Sequence, residues 1–335
     1  MRVSRCRLAA LVMTAMLAAA GAAAADPIKL RVSRPVDLAS LPLLVMEREH
    51  LIERTAEAMG VGEVAVVWTA PGGKGSLDEL AQGQADLAAA EMVPFLLAAD
   101  SAAGTATELR AVAALAEHPY ILVTRNPGIR TLRDFGATDR IAVPALKISG
   151  PAISLEMAAA QEWGIERYDR LDKLLVAQPD DTAANMLLSG KGDIDAHFSR
   201  TPYADAELGD EAVHRVMDSF DIAGPHTARV IAVRQQFRKA NPELCKAILS
   251  ALEAADDLIK KDPGAAAETF AAAGNSDIPL EDVSDMIGDP DLSYRAAPTG
   301  LMRTAEFLAR VGRLKHRLAS WQDVFVPESR DLAGN

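Results

Sequence analysis

The sequence predicts an α/β protein of two lobes joined by two crossings. Short β-branched or alanine-rich runs alternate with helix-patterned stretches from residue 28 to residue 234, the arrangement of a parallel sheet with helices on both faces. That alternation breaks twice, at Glu117-His118-Pro119 and again near 219–226, so the strands fall into two groups. From Asn241 onward the chain reads as mostly helix, which closes the first group. The expected division is a leader over 1–25, the first part of lobe I over 26–117, lobe II over 118–221, and the rest of lobe I with the C-terminal helices over 222–335.

The elements follow in order. Residues 28–33 read as a strand. Ser40 is placed to cap a helix with Pro42 in its first turn and Leu41, Leu44, Val45 and Leu51 on one face. Residues 63–69 are β-branched and strand-like. The loop Ala70-Pro71-Gly72-Gly73-Lys74-Gly75 leads to Ser76-x-x-Glu79, a capping-box pattern, and Gly83 stops that helix. Residues 86–90 make a buried strand and 93–99 a helix. Residues 111–116 and 120–125 are strands on either side of the first break. Thr131 caps a short helix, 140–143 is a strand, and Ser149-Gly150-Pro151 opens a helix ending near Gly164. Residues 173–177 are a strand, and Asp180 or Asp181 caps a helix that Gly190 stops. Residues 193–198, 214–217 and 227–234 are strands. Asn241-Pro242 and Asp262-Pro263 are cap and first-turn pairs, and Thr299 is placed to cap a helix over 300–312.

The N-terminus carries Arg2, Arg5 and Arg7, an apolar run over 8–20 broken by Thr14, and Ala23-Ala24-Ala25 before Asp26. This is the pattern of a secretory signal peptide cleaved after Ala25, and the run is shorter than the roughly 20 residues of a membrane span. Cys6 lies before the apolar run, so it is not at a lipoprotein cleavage position. The net charge of −12 would become −15 once three arginines were removed. So acidic a surface argues against nucleic acid and anionic lipid as partners. Cys245 alone would remain, so no internal disulfide is available. In open α/β sheets ligands lie beyond the carboxyl ends of the strands, so two facing lobes enclose a cleft with the crossings as hinges.

Three stretches carry a resemblance: Asp37-Leu38-Ala39-Ser40-Leu41-Pro42-Leu43-Leu44, Leu80-Ala81-Gln82-Gly83-Gln84-Ala85-Asp86-Leu87-Ala88, and Met186-Leu187-Leu188-Ser189-Gly190-Lys191-Gly192-Asp193-Ile194-Asp195-Ala196. The last two are one device used once per lobe, a helix stopped by glycine and an aspartate opening a buried strand. With Ser320-Trp321-Gln322-Asp323-Val324-Phe325, they resemble the substrate-binding proteins of ABC importers of the nitrate/sulfonate/taurine (NMT1/THI5-like) family. The resemblance covers essentially the whole mature chain. It implies a type II periplasmic binding fold, a small solute held between the lobes, an inner-membrane permease as partner, and a periplasmic monomer without a cofactor.

Candidate ligand-binding residues lie at the strand ends. Arg34 follows the first strand and suits an anionic group, or is simply solvated. Trp68, Thr69 and Gly72 belong to the second loop, whose glycines admit backbone N–H groups to an anion, or which is an ordinary turn. The loop lacks the G-x-x-x-x-G-K-[ST] order of a nucleotide-hydrolysing site. Glu91 could receive an amine, or complement the dipole of the helix after it. Ser149 and Gly150 form the helix start facing the first lobe. Phe198, Ser199, Arg200 and Thr201 lie where the resemblance places cleft residues, and Arg200 offers a planar fork for sulfonate, carboxylate or nitrate. The competing role for Arg200 is an ion pair between the lobes. His118, Phe220 and Arg229 read more simply as packing.

No H-E-x-x-H, G-x-S-x-G or Cys/His cluster is present, so no catalytic residue and no metal ligand is assigned. The expected function is capture of an alkyl sulfonate, taurine or nitrate type of solute. A pyrimidine, heteroaromatic or aromatic carboxylate solute, a secreted enzyme related to pyrimidine synthesis, and a sensor feeding a receptor stand as alternatives.

Overall fold

The computed structural model describes residues 26–72, 75–274 and 278–335; the expected signal peptide and its cleavage site at Ala25, together with Gly73 and Lys74 of the glycine loop, lie outside the described residues. Among the described residues ten strands follow in chain order: β1 (Ile28–Ser33), β2 (Val64–Thr69), β3 (Leu87–Glu91), β4 (Leu109–Glu117), β5 (Ile121–Thr124), β6 (Ile141–Val143), β7 (Leu175–Ala177), β8 (Ala196–Ser199), β9 (His214–Asp218) and β10 (Thr227–Arg234). They form two five-stranded sheets, ordered β2-β1-β3-β10-β4 and β7-β6-β8-β5-β9. The chain leaves the first sheet after Glu117 and re-enters it at Thr227.

The sheets are mixed, which corrects the expectation of parallel sheets. β1 runs parallel to β2 and β3, whereas β10 is antiparallel to both β3 and β4. β10 arrives from the other lobe and slots in head to tail between strands laid down earlier. In the second sheet β5, the strand that enters it, is likewise antiparallel to β8 and β9. The carboxyl ends of β1, β3, β6 and β8 therefore meet the amino ends of β10 and β5 at the cleft.

The first sheet is covered on both faces. Helix Pro242–Lys261 presents Leu244, Ile248, Leu252 and Ile259 to Leu30, Val32 and Ile231. On the other face Phe95, Leu96, Leu308, Trp321 and Phe325 pack on Val230 and Ala232. The second sheet buries Leu122, Ile141, Val143 and Phe198 under helix Gly150–Trp163. Burial of each such side chain contributes about 1.5–3 kcal/mol. Cys245 is fully buried and burial pushes its thiol up to about 12, so it is inert packing.

The two crossings are strapped to each other. Tyr120 N–H donates to Ser219 Oγ at 2.8 Å, and Ser219 N–H donates to the Tyr120 carbonyl at 2.9 Å. The second crossing is the short helix Ser219–Ala223 rather than a plain connection. His118, Tyr120, Phe220 and His226 pack as a ring cluster with centroids 5.1–5.6 Å apart. Burial, aided by the Arg200 charge, pushes His118 down to about 4, so it packs as a neutral ring.

Four expected caps are made differently. Asp37, not Ser40, accepts the N–H at the first turn. Ser76 lies inside its helix behind Gly75, and Glu79 reaches instead to Ser33 Oγ at 2.6 Å and Gly72 N–H at 2.7 Å. Pro179 precedes helix Asp180–Ser189, which frees the Asp180 carboxylate for the cleft. The Thr299 hydroxyl bonds Glu117 rather than capping helix Leu301–Arg310. In each case a polar side chain serves a long-range contact where local spacing suggested a local one.

Candidate functional site

Two arginines and three carboxylates meet where the sheets face each other. The β3–β10 register sets Arg229 opposite Glu91, and Arg229 Nη2 donates to Glu91 Oε1 at 2.6 Å. Its Nη1 donates to both Asp37 oxygens and to Ser40 Oγ, each at 2.7 Å. Arg200 comes from the other sheet, just past β8. Its Nε donates to Asp180 Oδ2 at 2.8 Å and its Nη1 to Glu91 Oε1 at 3.2 Å, with Asp37 Oδ2 at 3.9 Å. Arg200 is thus an ionic bridge across the cleft, beside the Arg313–Glu156 pair that also joins the two lobes at 2.6 Å.

Burial would raise the pKa of Asp37 and Glu91, but the adjacent Arg229 and Arg200 charges hold both below the usual carboxylate range. Burial likewise works against Arg229 and Arg200, and the carboxylates keep both guanidiniums charged. Counting Asp37, Glu91 and Asp180 against the two arginines, the cluster holds three negative and two positive charges. Tyr120 OH lies 3.5 Å from Glu91 Oε2, a weak contact at the limit of hydrogen bonding.

Two cavities adjoin this cluster. One, of about 150 Å³, is bounded by Glu91, Tyr120, Ser149 and Arg200 with Pro94, Pro144, Ile148 and Pro151 as an apolar wall. The other, of about 580 Å³ and more open, shares Glu91, Pro94 and Ile148 with it and extends along Ser76, Leu77 and Arg229. Ile148 stands 48 % exposed at their common border.

Gly150 is dictated by Tyr120: a Cβ there would sit 2.6 Å from Tyr120 Cε2. Gly150→Ala is therefore expected to cost about 1–3 kcal/mol by overpacking and to push the Tyr120 ring toward Glu91. Urea unfolding of the variant, paired with Tyr120→Phe as a background lacking the hydroxyl, checks this; a neutral Gly150→Ala would contradict it.

Glu91, Ser149 and Arg200 are brought together around the smaller cavity. Ser149 also caps its helix, accepting from Ala152 N–H and donating to the Ala145 carbonyl at 2.6 Å. Gly150 touches the same Tyr120 from behind. Arg34 stands apart, bonded to Glu47 and 5.9 Å over the Trp68 ring. Trp68 packs against the first core and lines neither cavity. Thr69 Oγ1 donates to the Val32 carbonyl at 3.3 Å, and the Gly72 N–H is taken by Glu79. Phe198 is fully buried, edge-on to Tyr120 with centroids 6.4 Å apart. Ser199 is fully buried within β8, and Thr201 sits beside the Asp205 carboxyl, away from the smaller cavity. Asp37, Asp180 and Arg229 join the cluster although the sequence did not single them out as ligands.

The family and the fold follow from comparison. Residues 21–274 match the model of the NMT1-like family. The chain belongs to the NMT1-like family. Solved structures share its fold. The alkanesulfonate-binding protein SsuA from Xanthomonas axonopodis pv. citri, bound to MOPS, superposes with TM-score 0.66 at 20 % identity over 88 % of this chain and 97 % of that one. The periplasmic aliphatic sulphonate-binding protein SsuA from Escherichia coli gives 0.67 at 18 % identity, over 89 % and 99 %. The periplasmic nitrate-binding protein NrtA from Synechocystis PCC 6803 gives 0.68 at 12 % identity, over 91 % and 87 %. No curated protein matches the chain. This NMT1-like protein therefore has the two-lobed periplasmic binding protein fold, and its ionic cluster lies where the lobes meet.

Proposed function

We propose that this NMT1-like protein is the exported solute-binding component of an ABC importer, and that it closes on a small zwitterion of the aminoalkyl-sulfonate type. It would work in the periplasm as a monomer, bind without chemical change and without a cofactor, and hand its solute to an inner-membrane permease. The observation that carries this reading is the Arg200 bridge to Glu91 and Asp37 beside the 150 Å³ cavity.

The reasoning is one of exchange. A solute acid group that takes the Arg200 fork displaces Glu91 and Asp37 from it. A bare anion such as nitrate would add a second negative charge to a cluster already one negative in balance. A zwitterion adds none: its ammonium replaces Arg200 at the freed carboxylates while its acid group takes the guanidinium. The apolar wall of Pro94, Pro144 and Ile148 suits a short alkyl spacer. The same wall with the Tyr120 ring favours a second reading, an aromatic carboxylate or amine-bearing heteroaromatic solute.

Thermal unfolding of residues 26–335 against taurine, alkanesulfonates, nitrate, aromatic carboxylates and pyrimidines tests both. A ligand at 100 times its Kd stabilises by about 2.7 kcal/mol. Taurine is expected to shift Tm more than ethanesulfonate, which lacks the amine. A shift by nitrate or simple sulfonates alone would overturn the zwitterion; a shift by benzoate-type or pyrimidine solutes alone would replace it with the aromatic reading.

A further inference from the structure

His197 lies in β8 with no solvent exposure and a carboxylate on each side. Its Nδ1 is 2.7 Å from Glu207 Oε1, on helix Tyr203–Leu208. Its Nε2 is 3.5 Å from Asp180 Oδ1, an ion-pair distance without a formed hydrogen bond, and neither of these two buried atoms has a hydrogen-bond partner among the described residues. A neutral imidazole has one N–H and one lone pair, so it satisfies one acid and turns its lone pair on the other. An imidazolium donates to both. Burial pushes the pKa of His197 down, and the Asp180 and Glu207 carboxylates on either side of the ring outweigh that and raise it. Its sheet neighbours, Val123 of β5 and Ala142 of β6, carry no charge. Tyr203, on the Glu207 helix, lies within the field of Arg200 and Asp180.

Asp180 is shared. Its Oδ1 faces His197 and its Oδ2 accepts from Arg200 Nε at 2.8 Å. A continuous path therefore runs from the interior of the second lobe to the cleft: Glu207, His197, Asp180, Arg200, Glu91. We propose that His197 is a positioning residue for Arg200: as an imidazolium it takes half of Asp180 and leaves the Arg200 Nη atoms free to face the cleft, and on losing its proton it lets Asp180 draw the guanidinium back. The proposal rests on the reading of Arg200 as the solute's cation. It makes proton and solute mutual helpers. Affinity falls as pH rises through the His197 titration. Solute binding raises the His197 pKa by the same coupling, a tenfold gain in affinity matching a rise of about one in pKa. The stability contribution has the same sign, fully present below the unfolded value of about 6.5 and lost as pH rises through the raised folded value.

The test uses ¹⁵N NMR of the solute-free protein, wild type and Glu207→Gln, over a pH titration. In the wild type both His197 ring nitrogens are expected to be protonated at neutral pH, and the Arg200 Nε–H signal moves with the His197 midpoint. Glu207→Gln, nearly isosteric and remote from the cleft, shifts both midpoints down together. A neutral ring at neutral pH, or an Arg200 signal indifferent to the His197 titration, overturns the proposal. Taurine titrations of the same two proteins follow, with His197→Gln as a third. Wild-type affinity is expected to fall across the His197 midpoint, that of Glu207→Gln at lower pH, and that of His197→Gln not at all. Taurine binding that ignores the midpoint overturns the proposal. Co-titration of His197 and Arg200 with no taurine binding by any variant supports the coupling and overturns the solute class instead.

Discussion

Arg229→Met should destabilise the protein by about 3–5 kcal/mol at neutral pH, because it strips the main cation from two carboxylates that stay in the lobe interface. Arg229 is 4 % exposed and anchors Asp37, Ser40 and Glu91 through four hydrogen bonds of 2.6–2.7 Å. Without it, Arg200, at 3.9 and 3.2 Å, is the guanidinium that remains beside Asp37 and Glu91. Burial, which raises their pKa values, then acts with one counter-charge in place of two. The pH dependence follows with its sign. In the wild type both acids are depressed, so their contribution is present above their unfolded values near about 4 and is lost as pH falls through the depressed folded values. In the variant the depression is largely gone. The stability gap between the proteins should therefore narrow as pH falls below about 4. Arg229→Lys keeps the charge but not the planar fork, and should fall between the two. Denaturant unfolding at several pH values measures this; a gap under about 1 kcal/mol at neutral pH, typical of an exposed pair, would contradict it.

The prominence of Arg229 also shows what local reading reaches and what it does not. Alternation of strand and helix patterns located the elements of the fold, and Gly190, at φ +62°, stops its helix as a left-handed residue should. Strand direction was not legible. Reading β10 as one more parallel strand puts Arg229 at the far end of the sheet from Glu91. The antiparallel return puts the two opposite each other. Asp37 and Asp180 were hidden for a related reason. Both stand at helix starts, where an acidic side chain is fully explained by the local N–H groups. Asp37 serves its cap and Arg229 together, whereas Asp180 serves Arg200 and His197 alone. Arg200 and Glu91 were legible because Glu91 ends β3 and Arg200 directly follows β8, where the geometry of open sheets limits where a side chain points. Gly72 and Arg34 occupy equivalent positions, yet Glu79 and Glu47 have taken their donors. Arg200 differs from them in reaching an acid of the facing sheet, Glu91, as well as Asp180 of its own lobe.

Arg200→Ala is expected to separate closure from stability. Arg200 is 19 % exposed, and its removal leaves Glu91 with Arg229 and Asp180 with His197, so the loss of stability should be well below that of Arg229→Met. The lobes, however, lose the ion pairs that Arg200 makes to Glu91 and Asp37. In the solute-free protein the open state should gain population, since closure persists only by the free energy that favours the closed form. Small-angle scattering should then show a larger radius of gyration for the variant than for the wild type. Taurine binding should weaken at least about tenfold, which is 1.4 kcal/mol, because the planar fork for the acid group is gone. Arg200→Lys should restore closure better than affinity, since an ammonium replaces the charge across the cleft but not the bidentate geometry. Unchanged affinity in Arg200→Ala would remove Arg200 from the site and leave it as a strut between lobes. Unchanged scattering with lost affinity would mean that closure is carried by the Arg313–Glu156 ion pair and the apolar contacts around Ile148, and that the arginine faces the solute alone.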